Sequence, residues 1–213
     1  MRGVVGSIGF ALLLFTSLAA QQTGLTEGQI KAAELEVPEL ATLFDLKPGM
    51  TVADVGAGFG AWTMAFAKIV GPSGRVYASD IGAPQLAALR EAAKTHSNVT
   101  VVEGAATSTN LPAACCDAIL IRDAYHHLTQ PAAIVKSLAA ALKPGGRLAV
   151  IDFPPRPNSE VPEGVPADRR GHGVPPEVVA REVGAVLTHV QTRPTWNASS
   201  QPASLYLVLF RKP

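Results

Sequence analysis

Three glycines and two carboxylates have the types and spacing to do chemistry in this chain. Gly56, Gly58 and Gly60 close the run T-V-A-D-V-G-A-G-F-G from Thr51 to Gly60, and Asp54 stands two residues before the first of them. Thr51 to Val55 is a short apolar, β-prone run and Ala61 to Val70 reads as helix, so the glycines make the turn of a strand-turn-helix unit. Glycine suits that turn because the backbone needs φ values costly for other residues, and because a ligand can approach where no Cβ intervenes. The helix start adds unpaired N–H groups and a partial positive charge, which suits a polar or anionic part of a nucleotide-like molecule.

Spacing alone leaves that molecule open. Gly56, Gly58 and Ala61 also satisfy the looser G-x-G-x-x-G/A pattern, so a nicotinamide or flavin cofactor and an NAD(P)-dependent oxidoreductase are one alternative. Asp54 weighs against it, because a carboxylate repels a pyrophosphate and attracts a ligand bearing an ammonium and a sulfonium. The charge sign favours S-adenosylmethionine. Asp80 closes a second strand, Arg75 to Ser79, 24 residues after Gly56. That is close to the offset at which an acidic residue meets two ribose hydroxyls. Ile81, directly after it, is placed to pack on an adenine face.

D-V-G-A-G-F-G resembles the first motif of the class I S-adenosylmethionine-dependent methyltransferases, of the small-molecule type similar to the methyltransferase 11 group. The segments from Arg75 to Phe153 follow the same family's order, so the likeness covers roughly two thirds of the chain. The resemblance implies an α/β fold: a Rossmann-like, doubly wound, seven-stranded sheet, mostly parallel with a C-terminal antiparallel hairpin and preceded by an N-terminal helix. It implies S-adenosyl-L-methionine as cofactor, held by Asp54, Gly56, Ala57, Gly58, Gly60, Asp80, Ile81, Gly104, Ala105, Ala106 and Arg122. Many members place an Asp where this chain has Ala105. Backbone N–H groups of Ala105 and Ala106, or the Thr107 hydroxyl, are expected to serve the adenine instead.

Asp117 to Arg122 reads as the fourth strand and runs into D-A-Y-H-H-L-T-Q-P. The carboxyl end of that strand lies beside the strand-order reversal, where open α/β sheets present their chemistry. Asp123, Tyr125 and His126 are the expected catalytic residues on the acceptor side: Asp or His as general base, Tyr as an orienting donor. His127 reads equally as scaffold. No metal is expected, the alternative being a site built from His126, His127 and His172.

The remaining elements must position these groups. Leu25 to Phe44 reads as one or two helices interrupted at Pro38, with Thr26 as N-cap. Helices are expected over Ala83 to His96, Pro131 to Leu142 and Pro176 to Val186, and strands over Val99 to Glu103, Leu187 to Thr195 and Leu205 to Arg211. Lys143 to Gly146 resembles the family's turn from helix to fifth strand, which Asp152 and Phe153 close. Pro154 to Pro176, rich in proline, glycine and charge, is read as a lid whose Arg156, Arg169, Arg170 or His172 contacts the acceptor, or as a solvated connector.

The chain of 213 residues bounds the answer to one domain, 25–213, after any leader. A net charge of +1 with 16% charged residues leaves no electrostatic footprint for nucleic acid. The acceptor is expected to be a small molecule. Cys115 and Cys116 are adjacent, which makes neither a disulfide framework nor a zinc site, and they read as small buried apolar residues. Residues 1–20 have a positive start at Arg2, an apolar core and small residues at Ala19 and Ala20, the pattern of a secretory signal peptide. An uncleaved anchor over residues 4–20 is the alternative, and either way the domain is expected to be exported. Asn197, Ala198 and Ser199 form an N-x-S sequon. A non-catalytic protein that binds the nucleoside is the second competing function.

Overall fold

The computed structural model describes residues 24–196 and 205–213. The leader, the anchor alternative and the sequon lie outside the described residues. Strands β1 (Thr51–Val55), β2 (Arg75–Asp80), β3 (Val99–Glu103), β4 (Cys116–Arg122), β5 (Leu142–Asp152), β6 (Thr188–Trp196) and β7 (Leu205–Arg211) form one sheet in the order β3-β2-β1-β4-β5-β7-β6. The strands from β3 across to β5 pair in parallel and β7 runs antiparallel to both its neighbours. Helices α1 (Glu27–Phe44), α2 (Ala61–Val70), α3 (Ala83–Ala93), α4 (Pro131–Ala141) and α5 (Pro176–Gly184) cover the two faces.

The central strands read as continuous apolar runs because alternate residues enter two different cores. In β4, Ala118 and Leu120 face the core beneath α1 and α2, while Ile119 and Ile121 face the core beneath α4 and α5. Every side chain of that stretch is buried. Its strand is thereby held rigidly enough for the loop after Arg122 to be placed by the sheet.

α1 differs from the sequence expectation. Pro38 lies inside one unbroken helix. It sits on the solvent face between the buried Val37 and Leu40, so apolar packing on the opposite face holds the helix together across the missing N–H. Thr26 does cap the helix, accepting the backbone N–H of Gln29 at 3.2 Å within a capping box. The strand pairing of β5 begins at Leu142, before the turn expected at Lys143 to Gly146. The register then jumps from Cys116–Leu142 to Ala118–Arg147, so that stretch bulges at the start of the β4–β5 pairing while Lys143 reaches Asp117 at 2.8 Å.

Cys115 and Cys116 are joined in a vicinal disulfide, which corrects their reading as merely small buried apolar residues; Cys116 is buried and Cys115 half-buried. Among the described residues, no helix is long and apolar enough to cross a membrane.

Candidate functional site

The strand order reverses between β1 and β4, and two adjoining cavities open at the carboxyl ends of these strands. The larger has a volume of about 500 Å³ and the smaller about 220 Å³. Gly56, Gly58 and Asp123 line both. The larger falls within the roughly 300–1,000 Å³ of small-molecule sites.

The glycine turn uses its N–H groups internally. Gly56 and Ala57 donate to the Ser79 carbonyl at 2.8 and 3.1 Å, Gly60 donates to the Ala57 carbonyl at 3.0 Å, and Gly58 donates to Asp80 Oδ2 at 2.8 Å. Four N–H groups of the turn are therefore already bonded, and two carboxylates stand beside it. A Cβ at Gly56 would come within 2.5 Å of the Ala124 Cβ, whereas one at Gly58 would meet nothing within 4 Å. The turn is thus pressed against the β4 loop on one side and open to a ligand at Gly58. Gly60, expected to bind cofactor, lines neither cavity. At φ +90 it caps α2 and leaves room for Leu89, 2.9 Å from where its Cβ would be.

Asp80 accepts three backbone N–H groups, from Gly58, Ile81 and Gly82, at 2.8 to 2.9 Å. It is thereby aimed into the larger cavity with part of its acceptor capacity left for a ligand's hydroxyls. Ile81 is 69% exposed beside it. Gly104, Ala105 and Ala106 form the facing wall. The expectation for the adenine edge is corrected in part: the Ala105 N–H is spent on the Ser108 carbonyl at 2.7 Å, and Thr107 is exposed outside the lining. Ser108 and Thr109 line the cavity there instead.

Asp54 and Ala57 line the smaller cavity. Asp54 is 3% exposed and accepts the Thr63 hydroxyl at 2.6 Å. Burial pushes its carboxyl up to about 6, against the lowering effect of the Thr63 hydrogen bond. A cation entering this cavity would relieve that cost. Arg122 lines the same space, although its guanidinium is engaged: Nε and an η nitrogen bind Glu36 at 2.8 and 3.1 Å, 3.9 Å above the Trp62 ring. Trp62 Nε1 donates to the same Glu36 carboxylate at 2.9 Å. Glu36, Trp62, Gln29 and Leu25 at this end were absent from the sequence expectation. A buried charge on an otherwise apolar helix face was the available signal, at Glu36.

The three expected catalytic residues part company. Asp123, in the left-handed region at φ 54, borders both cavities, and burial followed by the nearby Asp152 raises its carboxyl above the ordinary range. Tyr125 turns away. It is fully buried beneath α5 and donates its hydroxyl to Glu182 Oε2 at 2.8 Å, so it lines neither cavity. His126 is 2% exposed and also outside the lining, with Nδ1 2.9 Å from Asp152 Oδ1. His127 takes the cavity-facing place. Burial and the neighbouring His126 and His172 hold its imidazole below the usual range, and the same two kinds of effect lower His172.

The segment read as a lid is partly core. Arg169 is 0% exposed and makes paired hydrogen bonds to Glu182 at 2.9 and 3.0 Å, so its arginine is structural and does not reach the cavities. Arg156 donates its N–H to the His172 carbonyl at 3.0 Å and Val174 donates to that of Phe153. This doubling back sets His172 beside His126, 46 residues away in sequence and 4.9 Å between ring centroids.

Residues 52–146 match the family model described as a methyltransferase domain. A ubiquinone/menaquinone biosynthesis C-methyltransferase of Shewanella pealeana is 34% identical over 118 residues, covering 54% of this chain and 47% of that protein. The chain spans about half the length of the curated relatives it matches. Among solved structures, an S-adenosylmethionine-dependent methyltransferase of Aquifex aeolicus superposes with a TM-score of 0.68 at 23% identity, over 88% of this chain and 94% of that one. The cyclase SpnF shares the fold to the same TM-score at 15% identity, over 84% and 81% of the two chains. Residues 52–146 are thus similar to a methyltransferase domain, and the described chain shares the fold of S-adenosylmethionine-dependent methyltransferases.

Proposed function

We propose that the protein is an S-adenosylmethionine-dependent methyltransferase acting on a small-molecule acceptor. The observation that carries this reading is the pair of carboxylates at the glycine turn: Asp54 and Asp80 line the cavities, and Asp80 takes the Gly58 N–H. Such a turn is built for a cation and hydroxyls and against a diphosphate. Asp54 would hold the ammonium, Asp80 the ribose hydroxyls, and Ile81 with Gly104 to Ala106 the adenine. When bound, the cofactor supplies an electrophilic methyl group. The chain's own part is to position the acceptor against it and take one proton, for which Asp123 and His127 are the groups lining the large cavity.

Isothermal titration with S-adenosylhomocysteine, followed by transfer of labelled methyl to a panel of phenols, quinols, thiols and amines, tests the reading. Micromolar binding and transfer to one class support it, and absence of binding by folded protein sinks it. Binding without transfer would favour a nucleoside-binding protein, a reading that the Ala105 departure motivates. Residues 1–20 motivate the further proposal that the domain works outside the cytosol. Recovery of a C-terminally tagged chain only in the cytosolic fraction would overturn that.

A further inference from the structure

Three imidazoles converge beside the large cavity, which His127 lines. His126 and His127 come from the short turn after β4, and His172 from the doubled-back segment after β5. Their ring centroids lie 4.0 Å apart for His126 and His127, 4.9 Å for His126 and His172, and 5.5 Å for His127 and His172. One ring nitrogen from each lies within 4.8 Å of those of the other two.

The three differ in freedom. His126 is buried and held twice by Asp152, through Nδ1 at 2.9 Å and through its backbone N–H at 3.1 Å. A carboxylate on Nδ1 fixes that nitrogen as the donor and leaves the Nε2 lone pair outward, which is how proteins orient an imidazole toward a metal. His127 and His172 are not fully buried, so their rings can turn about their side-chain bonds to meet an ion. One fixed ligand and two adjustable ones suit a site that closes on its ion. Asp123 completes the surroundings: one of its oxygens lies within 4.8 Å of ligand atoms of both His126 and Asp152.

We propose that His126, His127 and His172 form a binding site for a divalent transition cation of the Zn²⁺ type, with Asp152 orienting His126 and an open coordination position toward Asp123. A three-imidazole donor set selects Zn²⁺, Co²⁺ or Ni²⁺ over the oxygen-seeking Mg²⁺ and Ca²⁺. Three protein ligands with a fourth position free is the pattern of sites where zinc acts on a substrate. Because His127 borders the large cavity, the ion would contact an oxygen, sulfur or nitrogen of the acceptor and lower its pKa, so that Asp123 receives its proton more readily. That consequence rests on the methyltransferase reading; binding of the ion does not.

The test is Co²⁺ titration of the full chain prepared without a polyhistidine tag, followed by optical absorption and competition with Zn²⁺. One Co²⁺ per chain with visible d–d bands, displaced by Zn²⁺, is expected. His127→Ala and His172→Ala, which leave the buried His126–Asp152 pair intact, should each weaken binding at least about tenfold, and Asp152→Asn by about 10- to 100-fold. S-adenosylhomocysteine affinity should stay unchanged in His172→Ala, because that residue lines neither cavity. Absence of stoichiometric Co²⁺ binding by folded protein, or equal affinity in wild type and both alanine variants, would overturn the site. Cofactor binding without metal binding removes this proposal alone, and metal binding without cofactor binding removes the methyltransferase reading alone.

Discussion

At the scale of the residue, Asp54 and Asp80 are both carboxylates beside the same turn, yet their surroundings set them to different work. Asp80 is held by three backbone N–H groups, whereas Asp54 is desolvated with its carboxyl near 6. A carboxyl raised from 3.8 by burial costs stability once ionised, so ligand-free protein should lose stability as pH rises from about 4 to 6. A bound ammonium reverses the sign, because it favours the ionised form. Affinity for S-adenosylhomocysteine should therefore be full above pH 6 and fall as pH drops through it, with proton release on binding near pH 5 to 6. Titration calorimetry in buffers of different ionisation enthalpy reads both effects, and a flat profile from pH 5 to 7.5 would remove Asp54 from the ammonium site. Asp80→Ala should weaken the same ligand at least about tenfold, roughly 1.4 kcal/mol. Unchanged affinity would remove Asp80 from the site.

At the scale of the element, α1 is fastened to the sheet through Glu36, which sits 0% exposed and serves both Arg122 and Trp62. Removing it strands a buried guanidinium and an indole N–H. Glu36→Ala should cost about 3–5 kcal/mol in urea unfolding. The same variant should bind S-adenosylhomocysteine more weakly, because Leu25 and Gln29 near the start of α1 wall the smaller cavity. Wild-type stability in Glu36→Ala would mean that α1 is held by its apolar face alone. The start of the helix was readable from Thr26, whereas its continuity through Pro38 was not. The fastening was not, because Glu36 and Arg122 are 86 residues apart and neither residue's local pattern names the other.

At the scale of the molecule, β1 and β4 meet at the reversal of strand order, which brings the turn after one and the loop after the other to a single crevice. Binding there draws on the folded state as a whole. S-adenosylhomocysteine at one hundred times its Kd should add about 2.7 kcal/mol to the unfolding free energy, while NADH at the same concentration should add nothing measurable. Thermal unfolding with each ligand checks this, and a larger shift with NADH would restore the oxidoreductase reading.

Much of the fold followed from the sequence alone, since the strand-turn-helix at Thr51 to Val70, the carboxylate ending β2 and the alternation of apolar runs with helices are local patterns. Steric demands of a turn and the periodicity of burial act over a few residues, so they are written where they act. The side-chain directions after β4 were decided otherwise. Tyr125, His126 and His127 sit in a turn of about three residues, so successive side chains point roughly a third of a circle apart. Glu182 takes the first, Asp152 the second and the cavity the third. Those partners come from α5 and β5, 26 to 57 residues later in the chain. The sequence determined that polar groups gather at this loop, and only the packing of distant elements around it decided which of them faces the ligand.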